Sequence, residues 1–132
     1  MKDLTAKTLS WATRDGVVEI ELHHAPCNEI GSATLEDLER FVAALPHLED
    51  EAHALIIYSS LKSGFCAGAD LRELYSRSQG MAVEERLGGV RNFLERIHKV
   101  LNTLDASALT TIAAVHGVTF GGPGARLLEG GP

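Results

Sequence analysis

An α/β fold is what this sequence predicts, and three observations point to it. An Asp15-Gly16 pair separates two strand-like runs, an apolar stripe at helical spacing follows, and two later apolar runs are divided by helical stretches. Asp-Gly between strand-like runs signals a hairpin, because its turn needs positive φ at both central residues. In Val17-Val18-Glu19-Ile20-Glu21-Leu22, the apolar Val18, Ile20 and Leu22 alternate with acids, so one face is buried and the other wet.

A turn at Ala25-Pro26-Cys27-Asn28 leads to a helix capped by Ser32 or Thr34, with Leu35, Leu38, Val42 and Leu45 on one stripe. Ala54-Leu55-Ile56-Ile57-Tyr58 is apolar throughout and reads as a strand buried on both faces. The loop Ser63-Gly64-Phe65-Cys66-Ala67-Gly68-Ala69 follows, and a short helix begins at Asp70-Leu71-Arg72-Glu73-Leu74. After a polar, glycine-containing stretch to about Ala82, a long helix runs from about Val83 to Leu104. Leu87, Val90, Leu94, Ile97 and Leu101 form its core-facing stripe, weakened near the start by Gly88-Gly89. Thr110-Thr111-Ile112-Ala113-Ala114-Val115 is a last buried strand, leading into a second glycine-rich turn at Gly117 to Gly122. Residues 1–122 thus read as one structural unit. Residues 123–132 read as a glycine-rich tail expected to be disordered.

Composition narrows the function. The 132 residues are 45% hydrophobic, suited to a globular core, and no apolar run reaches the length of a membrane helix. The N-terminus lacks the charged-then-apolar pattern of a signal peptide, so a cytoplasmic location is expected. With 18 acids against 12 bases and a formal charge of −6, no basic face for nucleic acid can be assembled. Cys27 and Cys66 are not spaced as a zinc or redox pair and are read as free thiols.

Two places have the character of a site. At Phe65-Cys66-Ala67-Gly68-Ala69-Asp70, glycine permits a tight turn and close backbone approach, and the following helix start leaves N–H groups that favour negative charge. Gly117 to Gly122 repeats the pattern after the last strand. Two such turns side by side would aim two N–H groups at one point, the geometry of an oxyanion hole. Taken singly, each turn is more often a purely structural strand–glycine–helix connection. Neither is a phosphate-binding Walker loop or a dinucleotide fingerprint.

The residues themselves carry a resemblance. Phe65-Cys66-Ala67-Gly68-Ala69-Asp70-Leu71-Arg72-Glu73 resembles the first signature of the enoyl-CoA hydratase/isomerase (crotonase) family. Ile112-Ala113-Ala114-Val115-His116-Gly117, followed by Gly121-Gly122, resembles the second, and Pro26-Cys27-Asn28-Glu29-Ile30 resembles the stretch after the family's first hairpin. The similarity covers about residues 8 to 122, the first half of a family chain. It implies a crotonase-like spiral of ββα units, here truncated, and a homo-oligomer that is a trimer or hexamer at full length. It also implies an acyl-CoA thioester as ligand, with CoA part of the substrate and no separate cofactor. The N–H groups of Ala69 and Gly122 match the backbone oxyanion hole. Pro26, Cys27, Ala67, Gly68, Ala69, Asp70, Leu71 and Gly121 match substrate-binding positions. Lys62 and Arg72 could meet CoA phosphates, although a solvated role suits them as well.

The departures concern proton transfer. Hydratases of the family carry a glutamate where this sequence has Ala125, and a second one beyond its last residue. Glu129 sits in the glycine-rich tail without a scaffold. The chain is therefore expected to be inactive alone, with a non-catalytic acyl-CoA-binding or assembly module as the alternative. Cys66 is read as structural. His23 and His24, adjacent on a strand, point to opposite faces and cannot share an ion, so no metal site is expected.

Overall fold

The computed structural model describes residues 3–119. Along the chain lie β1 (Leu4–Thr5), β2 (Leu9–Arg14), β3 (Val17–Leu22), α1 (Ser32–Leu48), β4 (Ala54–Ser59), β5 (Gly64–Cys66), α2 (Leu71–Ser78), α3 (Val83–Ala106), β6 (Thr110–Ala114) and β7 (Val118–Thr119). The main sheet has the order β1-β2-β3-β4-β6, and β5 pairs with β7 in a separate two-stranded sheet. Strands β1, β2 and β3 are antiparallel, whereas β3–β4 and β4–β6 are parallel crossovers. No helix of the described residues is long and apolar enough to cross a membrane.

The hairpin forms as its residues dictate. Asp15 at φ 50° and Gly16 at φ 79° occupy the left-handed region, with Arg14 opposite Val17. Leu9 and Trp11 on β2 and Val18, Ile20 and Leu22 on β3 then share one buried face. Helices α1 and α3 meet that face through Leu35, Phe41, Leu48, Phe93 and Val100, all in one core cluster. Trp11 and Phe41 meet edge to face, with ring centroids 5.1 Å apart. Buried Asp37 ties α1 to the start of β2: its Oδ2 accepts from the Thr8 N–H at 2.9 Å and the Thr8 hydroxyl at 2.6 Å. On the surface, Arg96 of α3 grips the Glu39 carboxylate of α1 with two bonds, holding that carboxyl below its usual range.

Three expectations are corrected. The cap of α1 is Gly31, not Ser32 or Thr34. Ser32 is already helical, and the Thr34 hydroxyl donates to the Glu29 carbonyl instead. Strands β4 and β6 are not buried on both faces. Leu55 and Ser59 are buried, while Ala54, Ile56 and Tyr58 on the other face are only half covered. Edge strand β6 leaves Ile112 50% exposed. An apolar run without alternation does not say how many of its faces are covered.

The stripe of α3 is also displaced. Its buried residues are Phe93, Ile97 and Val100, with Leu101 and Leu104 partly buried against the core. Leu87 and Leu94 are 62% and 43% exposed. Two stripes of similar spacing share Ile97 and Leu101, and the one bearing the larger Phe93 faces the core. Phe93→Ala should therefore cost roughly 3–5 kcal/mol and Leu94→Ala far less, read as shifts in the urea midpoint. An equal loss from both would restore Leu94 to the core.

A methyl group added at Gly88 or Gly89 would meet nothing within 4 Å. Gly88→Ala and Gly89→Ala should each stabilise the fold by roughly 0.5–1 kcal/mol, because glycine loses more backbone freedom on joining a helix. A fall in thermal midpoint for either variant would contradict the open space around these positions.

Candidate functional site

The loop between β3 and α1 is organised by one side chain. Asn28 is 2% exposed and sits at φ 54°, a left-handed conformation that asparagine tolerates better than most residues. Its backbone N–H donates to the His24 carbonyl, and its Oδ1 accepts from the His24 N–H, both at 2.7 Å. Its Nδ2 donates to the Ser59 hydroxyl and the Phe65 carbonyl, both at 2.9 Å. One amide thereby holds the β3 exit, the end of β4 and the middle of β5 together.

The next residues run alongside the first glycine turn. The Ala67 N–H donates to the Cys27 carbonyl at 3.0 Å, the Ile30 N–H to the Gly68 carbonyl at 2.8 Å, and the Asp70 N–H to the Ile30 carbonyl at 3.0 Å. Ile30 and Ala69 form a parallel bridge. In such a bridge the bonds come from the neighbours of Ala69, so its own N–H is directed to the side away from Ile30. Gly68 takes φ 88°, which a side chain would strain.

Helix α2 begins at once, with the Asp70 side chain accepting from the Glu73 N–H at 3.1 Å. Glu73 does not fold back on its own helix start. Its Oε2 accepts from the Ser32 N–H at 2.9 Å, capping α1, with the Arg77 guanidinium 3.5 Å away.

Cys66 is buried between these segments. Its thiol donates to the Asn28 carbonyl and its sulfur accepts from the Gly68 N–H. Burial pushes its pKa up, so it stays protonated and works as a packing group.

The second turn lies against the first. Strands β5 and β7 pair in parallel with Cys66 opposite Thr119. The Phe65 N–H donates to the His116 carbonyl at 2.8 Å, and the Val118 N–H to the Ser63 carbonyl at 3.2 Å. Gly64 and Gly117 permit this approach. Both have positive φ, and a Cβ on either would run into the other segment's backbone.

Of the sequence-predicted site residues, Cys27, Ala67, Gly68, Ala69 and Asp70 are brought together in this ladder. Pro26 is exposed, its carbonyl accepting from the Ser63 hydroxyl. Leu71 faces solvent, as do Lys62 and Arg72. Gly121, Gly122, Ala125, Glu129 and the whole tail lie outside the described residues. The linking roles of Asn28, Ser59 and Glu73 are new. Asp70-x-x-Glu73 has capping-box spacing, the one sequence signal for Glu73, but here the glutamate serves another helix.

The sheet, its crossovers and the two apposed turns define a crotonase-type fold. The crystal structure of enoyl-CoA hydratase from Bacillus anthracis superposes on it with a TM-score of 0.74 at 28% identity, over 92% of this chain and 44% of that one. The family model for enoyl-CoA hydratase/isomerase matches residues 12–128, and the chain belongs to that family. It is 32% identical over 108 residues to the mouse enoyl-CoA hydratase domain-containing protein 2, mitochondrial, covering 81% of this chain and 33% of the relative. It is 29% identical over 110 residues to the fatty acid oxidation complex subunit alpha of Acinetobacter baumannii, covering 82% of this chain and 14% of that subunit. This chain thus spans a third or less of the two curated relatives and under half of the Bacillus anthracis enzyme.

Asn28→Asp tests the link. The carboxylate keeps the shape but cannot donate to both Ser59 and Phe65, and a loss of at least about 2 kcal/mol is expected. A carboxyl forced into this site titrates above its unfolded value, so the folded state binds more protons. The loss should be smallest in acid and grow as pH rises past the ordinary carboxylate range of about 4. A pH-independent, near-neutral effect in chemical denaturation would show that Asn28 does not hold the site.

Proposed function

We propose that this chain supplies the thioester-oxygen side of an acyl-CoA site. The Ala69 N–H and the Gly122 N–H donate to one oxygen. When the α-carbon of the acyl group loses a proton, the C–H electron pair forms a C=C bond and the carbonyl pair moves onto that oxygen. Donors already placed there stabilise the resulting enolate more than the ground state. The observation that carries this is the Ile30–Ala69 bridge, which turns the Ala69 N–H out of the ladder while its neighbours fix it. The β5–β7 pairing supports the second donor, because Cys66 opposite Thr119 stands as many residues before Ala69 as Thr119 stands before Gly122.

The proton itself needs a base. Ala125 offers none at the position where hydratases of the family have a glutamate. The 132-residue chain accordingly binds the thioester without turning it over, and CoA arrives as part of the substrate rather than as a separate cofactor. The trimeric or hexameric assembly of the full-length family belongs to the same proposal.

The assay follows the absorbance of a conjugated enoyl-CoA thioester with the purified chain, and with the chain extended by a family-like second half. No turnover is expected from the first and measurable turnover from the second, since positioned acid/base groups contribute about 10²–10⁴-fold. In the extended protein, Ala69→Pro deletes one donor and should lower kcat by roughly 10²–10³-fold. Equal turnover by the two proteins would overturn the inactivity of the chain. An undiminished Ala69→Pro enzyme would remove the oxyanion hole.

A further inference from the structure

We infer that Glu73 is a positioning residue for the Ala69 N–H, acting through a clasp between the two helix starts that flank it. This rests on the oxyanion role proposed for Ala69. The chain passes into α1 through Ile30-Gly31-Ser32 and into α2 through Ala69-Asp70-Leu71, and these two segments are bridged at Ile30 and Ala69. Below the bridge, the Asp70 carboxylate accepts from the Glu73 N–H, so the start of α2 holds the base of Glu73. From there the Glu73 carboxylate reaches across and accepts from the Ser32 N–H at 2.9 Å. Asp70 and Glu73 together close a ring of bonds around the Ile30–Ala69 bridge, and the Ser32 bond is its charge-assisted closure.

Gly31 supports the same assignment independently. A Cβ at this position would lie 2.6 Å from Glu73 Oε1 and 3.4 Å from Asp70 Oδ2, so the α1 cap has no side chain where the incoming carboxylate sits. Gly31 has negative φ, so left-handed backbone conformation does not explain the glycine. Room for Glu73 does. The α1 cap has surrendered its own side-chain oxygen, and a residue from the first turn of α2 provides it instead. Rotation of the α2 start relative to α1 would break the Ser32 bond and tilt the peptide plane that carries the Ala69 N–H. Oxyanion donors lose their effect once they no longer point at the developing charge.

The test uses the whole 132-residue chain, ¹⁵N-labelled, as wild type and as Glu73→Ala, Glu73→Gln and Gly31→Ala, with Glu84→Gln as a remote exposed control. Amide hydrogen exchange is read at Ile30 and Asp70, the two N–H groups of the bridge, against the β2–β3 ladder. The second readout is the ¹³C resonance of a labelled thioester carbonyl in bound crotonyl-CoA, which moves downfield when its oxygen accepts strong hydrogen bonds. In Glu73→Ala, exchange at Ile30 and Asp70 should rise about tenfold or more with the hairpin ladder unchanged, and the downfield shift should be lost. Glu73→Gln, whose amide oxygen still accepts from Ser32, should stay near wild type in both. Gly31→Ala should reproduce Glu73→Ala by displacing the carboxylate.

Faster exchange at all amides alike, or no change at Ile30 and Asp70, would make Glu73 a general stabiliser or a bystander and overturn the proposal. A retained carbonyl shift in Glu73→Ala would overturn it as well. If the wild-type chain itself leaves the carbonyl unshifted, the proposed function fails, and the positioning role then stands or falls on the exchange at the two bridge amides.

Discussion

A single buried amide joins the sheet to the candidate site. Asn28 commits its side chain to Ser59, Phe65 and the His24 N–H, and these three belong to different segments of the chain. Without that junction, the loop before α1 would lose its tie to the end of β4 and its side-chain tie to the middle of β5. The bonds from Cys27 and Ile30 to the glycine turn would then lack a common register. The cost of burying an amide is offset only when its donors and acceptor are all met, as they are here. The asparagine therefore specifies one arrangement of the loops, which an apolar side chain of similar size could not do.

The apposed turns are built mainly from backbone groups. The group at the centre of the proposed oxyanion role is the Ala69 peptide N–H, which neither titrates nor reacts. Between the two turns, the Cys66 thiol is held protonated by burial and engaged at its sulfur from both sides. Neutral, fixed donors of this kind respond to charge that appears on a ligand and need little rearrangement when it does. The close approach of the second turn serves the same end, since Gly64 and Gly117 let two backbones touch where side chains would hold them apart.

Much of this was legible in the residues, and the rest was illegible for identifiable reasons. Asp15-Gly16 named its own turn, and the alternation of Val18, Ile20 and Leu22 with Glu19 and Glu21 correctly divided β3 into two faces. The glycine turns were legible as turns, and β5 and β7 set them side by side through the close approach of Gly64 and Gly117. Burial of β4 and β6 was not readable, because what covers a strand depends on elements distant in sequence. The face of α3 was misassigned because two apolar stripes overlap at Ile97 and Leu101 and only packing chooses between them. Asn28 and Glu73 look locally like a turn residue and the second half of a capping box. Their actual partners lie on other elements, reached only once the chain has folded.

The junction at Asn28 also has a kinetic meaning. The β2–β3 hairpin joins residues adjacent in sequence and closes a very short loop. The bonds from Asn28 span 31 and 37 positions, and the Ser32–Glu73 bond spans 41. Loop-closure entropy delays such distant contacts relative to local ones. The hairpin is thus the natural nucleus, whereas the parallel β3–β4 and β4–β6 pairings and the candidate-site loops all wait on contacts distant in sequence. An arrested folding intermediate would present a formed hairpin with an unformed site, so a signal from the hairpin alone would overstate how many molecules have the site assembled.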